Sequence, residues 1–274
     1  MRDQVLPFTK VIAAVIIPFL VTAVVLLYGL PSQTDLLFAW TITPPLSAMF
    51  LASAYVGGIW FFAQVLRQWR WHRVARGFPA VIAFASLASA ATFLHWDRFH
   101  FGHISFVTWV VLYVTTPFLV LAALLLNRRQ DSGLPEENDF AIPLHWRVGL
   151  AAVGAVSLVT GLVLFIVPQP LVDSWAWQLT PLTARIVGAI LTLPGMVNLW
   201  MLRDARWSAF RWVFQAQIAS LVFLIGALIL ARNDLDPSRP VTPVVVGGLV
   251  FSLVAYAAFY DWCERGVRRA SAAG

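Results

Sequence analysis

FAWTITPPLSA at residues 38–48 and WAWQLTPLTAR at residues 175–185 write nearly the same sentence about half a chain apart. Extended downstream, the echo sets Pro45, Leu46, Ser47 and Ala48 against Pro181, Leu182, Thr183 and Ala184. One helix later it sets Leu66, Arg67, Trp69 and Arg70 against Leu202, Arg203, Ala205 and Arg206, at a constant offset of 136. Lys10 and Arg147, each just ahead of the first apolar run of its half, stand 137 apart. Charges, prolines and tryptophans thus recur in register, which is the mark of a duplicated unit.

Around these motifs the chain is too apolar for a soluble fold. Of its 274 residues 60% are hydrophobic and only 12% charged, where soluble domains carry roughly 25% charged residues. Eight apolar runs can be drawn, at 11–30, 46–66, 77–95, 104–126, 148–167, 182–202, 212–231 and 241–260. Each matches the ~20 residues that cross ~30 Å of hydrocarbon at 1.5 Å per residue. The runs are continuously apolar and do not alternate, so they predict helices and not a membrane β-barrel. The expected architecture is an all-α membrane protein of eight spans. A first four-helix repeat covers residues 1–130, a cytoplasmic linker 131–147 and a second repeat 148–274. The first run is too long for a cleaved signal peptide, so it is read as a retained span in a chain that begins at or near Met1.

The basic residues predict orientation. Fifteen Lys and Arg, from Arg2 and Lys10 to Arg265, Arg268 and Arg269, fall on one face. Only Arg98, Arg232 and Arg239 fall on the other, and Arg185 lies inside the sixth run. That split puts both termini in the cytoplasm. Four spans per half then make the repeats parallel, related by an axis along the membrane normal. The net charge of +6 is explained by loops meeting anionic lipid and calls for no nucleic-acid partner. A single cysteine, Cys263, leaves no intramolecular disulfide and no CxxC metal site.

The repeated motif has a physical reading. Thr43 and Thr180 are expected to cap helices that begin on the following proline, whose missing N–H costs nothing at a helix start. The Trp-rich stretches before them, 31–40 and 168–177, lack Lys and Arg. They are expected to lie in the outer interface, with Trp40, Pro45, Trp175, Trp177 and Pro181 as interfacial motifs. Ala48 and Ala52, and Ala184 and Gly188, have the i, i+4 spacing of closely packed helices. On that ground the second and sixth spans are expected to form the contact between halves.

Two stretches carry candidate chemistry. LHWDRFHFGH at residues 94–103 gathers His95, Asp97, His100 and His103 in one outer hairpin. Imidazole and carboxylate suit zinc, copper or iron, and histidine titrates near neutral pH, so a metal or proton site is one reading and an ordinary interfacial turn is the other. Arg185 is the one charge within a span. It can bind an anionic group, or snorkel outward and pair with Asp35, Asp97, Asp173, Asp234 or Asp236. Gln64, Asn198, Gln215 and Gln217 are accounted for by hydrogen bonds between helices. No P-loop, G-x-S-x-G elbow, H-E-x-x-H helix or dinucleotide fingerprint is present.

FAWTITPP, LHWDRFHFGHISF and LYVTTPFLV together resemble a group of bacterial multi-pass membrane proteins. The resemblance covers residues 38–45 and 94–120 best. It implies an integral protein of a bacterial inner membrane and carries no activity. Three functional readings follow. The first is a small permease-like protein with a polar path for a small-molecule solute between the repeats. The second is a non-catalytic subunit or scaffold that binds a membrane-protein partner or lipid, and the third a metal-dependent enzyme using the outer histidines. No cofactor is called for unless those histidines hold a metal.

Overall fold

The computed structural model describes residues 3–273, so the Arg2 charge lies outside the described residues. Eight helices are long and apolar enough to cross a membrane. They are α1 (Pro7–Gly29), α2 (Pro45–Arg67), α3 (Phe78–Leu94), α4 (Ile104–Asn127), α5 (Leu144–Ile166), α6 (Pro181–Trp200), α7 (Arg211–Leu230) and α8 (Val241–Ala273). No strand occurs among the described residues. Each helix falls on one of the apolar runs.

Prolines set several starts. Pro7, Pro45 and Pro181 occupy the first turn of α1, α2 and α6. α8 continues past residue 260, with Cys263 and Glu264 buried against the bundle. Glu264 accepts from Trp207 Nε1 at 2.8 Å and from Arg211 at 2.6 Å.

The caps are unequal. Thr180 caps α6 as expected, its Oγ1 accepting from the Thr183 N–H at 3.2 Å. Thr43 caps nothing: the N-cap of α2 is Pro44. The orphan N–H of Leu46 instead donates to Asp234 Oδ2, 2.9 Å away in the other half.

The Trp-rich stretches turn their tryptophans inward, while Ser32, Leu36, Pro170 and Ser174 stay exposed. Trp40, Trp175 and Trp177 are buried, and the alanines Ala39 and Ala176 let each chain turn inward without bulk. Trp177 donates to Ser47 of α2 at 2.9 Å, and Trp40 packs against Trp109 and Phe99. Both segments close over the same end of the bundle, opposite the basic one.

Helix pairing crosses the chain midpoint. α2 packs chiefly on α7 and α1, and α6 on α5 and α3, whereas α2 and α6 touch only sparsely. The expected contact between halves is therefore made elsewhere, by the second helix of each half against the third helix of the other. Gly188 lies close to α5 of its own half: a Cβ there would stand 2.5 Å from the Gly161 carbonyl. Gly154 and Gly195 approach in the same way one turn-pair further along.

Backbone contacts recur along the chain. The Val5 N–H donates to Trp69 O and the Ile142 N–H to Ala205 O, each at 2.8 Å. The bridge between Trp40 and Phe99 is matched by one between Trp177 and Leu235.

The segment after α4 is tied down at its acidic residues, although much of it is exposed. At the basic end of the bundle, Arg206 and Arg76 both hold Asp131 and Asp204, with Arg206 Nη2 2.8 Å from each carboxylate. Glu136 takes Arg73 at 2.7 Å and Arg70 at 3.3 Å, and lies against His72, which also contacts Asp3. Burial works to raise the Asp131 carboxyl, but the Arg206 hydrogen bonds, the Gly133 N–H and the nearby guanidiniums hold it at about 2. Asp204 and Glu136 are likewise lowered against the pull of burial, by Arg206 and Arg73 respectively. Asp131 thereby staples arginines of both halves, and Glu136 arginines of the first.

Candidate functional site: an apolar cavity between the halves

The hairpin between α3 and α4 does not assemble its histidines. His100 spans two partners, with Nδ1 2.9 Å from Phe38 O and Nε2 3.1 Å from Thr41 Oγ1, and so fixes the first Trp-rich segment. His103 caps α4, its Nδ1 accepting from the Ser105 N–H at 3.3 Å. Asp97 is exposed and paired with Arg98. His95 turns to the other half, where its Nε2 lies 2.6 Å from Arg185 Nη1. Among the described residues, no group of three His, Cys, Asp or Glu side chains is placed to hold a metal.

Arg185 therefore pairs with none of the five aspartates expected of it. Burial, and then the Arg185 charge, push His95 below its ordinary value. The ring is thus neutral at neutral pH and accepts from the guanidinium. Arg185 Nε remains buried without a partner. Charge and imidazole lock α6 to the end of α3.

Two hollows lie at the basic end, one beside Asp3, Arg70 and Glu136 and one beside Arg76, Arg128 and Asp131, and a third concave feature is internal. A cavity of about 240 Å³ lies where α2, α3, α6 and α7 surround the middle of the bundle, and it is partly open at its rim. All eight spans contribute to its wall, from Ile16 on α1 to Tyr256 on α8. It exists because small residues, Ala54 and Gly58 of α2 and Ala80 and Ala85 of α3, face it where bulkier side chains would meet. The wall is almost wholly apolar and includes no Asp, Glu, Lys, Arg or His. The expected polar path between α2 and α6 is thus replaced by an apolar chamber between all the helices.

The few polar side chains in the wall are mostly satisfied. Tyr55 and Tyr113 bond to each other at 2.7 Å, and Tyr256 accepts from Asn198 at 2.7 Å. Ser53 and Ser157 donate to the Met49 and Leu191 carbonyls, each at 2.8 Å. Gln217 stands with Thr116 and Ser220 outside these bonds: its amide nitrogen and oxygen are both buried and neither has a partner. Sequence reasoning grouped it with Asn198 and Gln215, which do find partners across helices, Gln215 reaching Trp60 and Tyr260. The only signal that separates Gln217 is its place on the face of α7 that looks into the chamber, which needs the packing to be seen.

No known protein family, curated protein or solved structure matches this chain.

Proposed function

We propose that this chain is a permease-like protein of a bacterial inner membrane that takes a lipid-soluble molecule into the chamber between its halves. The observation that carries the reading is the chamber itself, apolar, at the centre of the bundle and bounded by every span. An apolar cavity of that volume left empty forfeits on the order of 6 kcal/mol of packing, at ~24 cal/mol per Å³. An apolar occupant restores those contacts. Cavities between helices of a bundle are where such ligands are held.

The two halves are parallel repeats in this reading. Supporting it are the recurring motif, the paired contacts of Val5 with Trp69 and Ile142 with Ala205, and the reciprocal packing of each second helix on the other half's third. A pseudo-two-fold along the membrane normal then passes through the chamber, where parallel repeats enclose a central path. The basic end, with both termini, faces the cytoplasm. A second reading, a subunit that holds a membrane partner, draws support from α8, of whose apolar stretch only 11% is buried within the chain.

Photolabelling of the protein in native membranes with an alkyl diazirine tests the first reading. Labelled residues are expected on the chamber wall, at Phe62 or Leu224, and are expected to weaken in Ala54→Phe, whose ring intrudes on the chamber. Labelling confined to lipid-facing positions such as Val11 and Phe118 in both proteins would sink it.

A further inference from the structure

A partly open hollow of about 340 Å³ lies at the basic end, between the start of α3, the end of α4 and the end of α6. Ala75, Pro79, Leu124 and Trp200 give it apolar walls, and Arg76 and Arg128 line it as cations. Two guanidiniums stand 5.6 Å from the centre of the Trp200 ring, those of Arg76 and Arg203. The acids here are Asp131, which lines the hollow, and Asp204, which is bonded to Arg76. Both are taken already, since Arg206 and Arg76 hold each of them and Arg206 donates twice to Asp131. Four guanidiniums thus meet two carboxylates, and two positive charges are left over. Arg128 and Arg203 carry them. Both are exposed, and neither side chain makes a hydrogen bond or an ion pair with any of the described residues.

These cations sit where spans end. Arg128 is the C-cap of α4, Arg76 stands just before α3 and Arg203 just after α6. That is the depth of lipid heads in a bilayer crossed by these helices. Next to Leu124, the face of α4 that carries Leu121 and Leu125 is exposed.

We propose that this hollow binds the phosphodiester head of an anionic phospholipid, with Arg128 and Arg203 meeting its charge and an acyl chain leaving past Leu124 along α4. The guanidinium fork matches phosphate oxygens, and basic pockets between spans suit anionic heads. The apolar walls favour a lipid over a soluble anion, which would leave Ala75, Pro79 and Leu124 facing water. The site is separate from the chamber and does not depend on what the chamber holds. Arg76 and Arg128 belong to the first half and Trp200 and Arg203 to the second, so the bound head bridges the two. The second half cannot repeat the site, because Trp212 and Glu264 stand 136 residues after Arg76 and Arg128. One such lipid is therefore held per chain.

A scintillation proximity assay tests this, with the full chain on beads in neutral detergent and tritiated dioleoyl phosphatidylglycerol as the probe. Unlabelled phosphatidylcholine has the same phosphate and tails, but its choline cancels the charge. It is expected to compete about twentyfold more weakly than unlabelled phosphatidylglycerol, roughly fivefold for each free guanidinium. Arg128→Gln and Arg203→Gln are each expected to weaken phosphatidylglycerol binding about fivefold, and the double variant to bind the two lipids alike. Neither substitution breaks a hydrogen bond, so the thermal midpoints are expected to stay near that of wild type. Arg129→Gln removes the same charge one residue outside the hollow and is expected to bind as wild type does. A loss in Arg129→Gln as large as in Arg128→Gln would overturn the site, leaving only an attraction spread over the basic face. Equal competition by the two lipids in wild type would overturn it as well. Inorganic phosphate that displaces the probe further than sodium chloride of equal ionic strength would make the occupant a soluble anion and overturn the lipid assignment.

Discussion

Arg206→Ala is expected to lower stability by about 3–5 kcal/mol, the cost of removing one partner from a buried ion-pair group. Arg206 and Asp204 are each only 7% exposed, and the guanidinium donates to Asp204, Asp131 and the Leu134 carbonyl. Its loss leaves two carboxylates near each other with Arg76 as their remaining cation. It also removes the side-chain tie between Asp131 and the turn before α7, leaving the backbone bond from Ile142 to Ala205. Thermal or denaturant unfolding in a fixed detergent reads the effect.

Acid supplies a second arm of the same test. Asp131 titrates in the folded protein at about 2, below the ordinary 3.8 of an aspartate. Its stabilising contribution is therefore complete above that ordinary value and is lost as the pH falls through the folded one. Asp204 and Glu136 shift in the same direction. Wild-type stability is expected to hold from neutral pH down to about pH 4 and to decline below it. In Arg206→Ala the decline is expected to be shallower, because Asp131 and Asp204 then gain little from being ionised. Equal acid slopes in the two proteins would mean that this cluster does not carry the bundle's basic end.

Gly188→Ala is expected to cost about 3 kcal/mol, the upper part of the range for overpacking. The added methyl would stand 2.5 Å from the Gly161 carbonyl and 3.0 Å from the Phe165 backbone nitrogen. Backbone cannot rotate aside as a side-chain tip can, so α5 and α6 must separate along their length. Gly149 lies on the same α5 with nothing near its position. Gly149→Ala is the control, expected to be neutral or slightly stabilising because alanine favours the helix. A Gly188→Ala protein as stable as Gly149→Ala would show that the close crossing of α5 and α6 does not hold the second half together.

The spans were legible because their signal is one-dimensional: an apolar run of fixed length, opened by Pro45 or Pro181 and closed by arginines. Which helix meets which was not. The small residues at Ala184 and Gly188 announce a close approach but not a partner, and the glycines that answer Gly188 and Gly195 lie on α5, within the same half. The histidines illustrate the same limit. Their clustering in sequence was plain, yet the turn Trp96–Arg98 sends His95 to Arg185 while His100 folds back on Phe38. Trp40 and Trp177 read as belt residues by composition. Their neighbours Ala39 and Ala176, fully buried, were the local hint that these chains turn inward. Gln217 carried no hint, because an amide near a span end is ordinary until the helices around it are placed and none of them offers it a bond.

Native mass spectrometry of the protein released gently from its membrane tests the central claim most directly. The account predicts a 30.4 kDa chain carrying a small, lipid-soluble molecule that is depleted in Ala54→Phe. A bare chain, or a chain bound only to a second polypeptide, would contradict it.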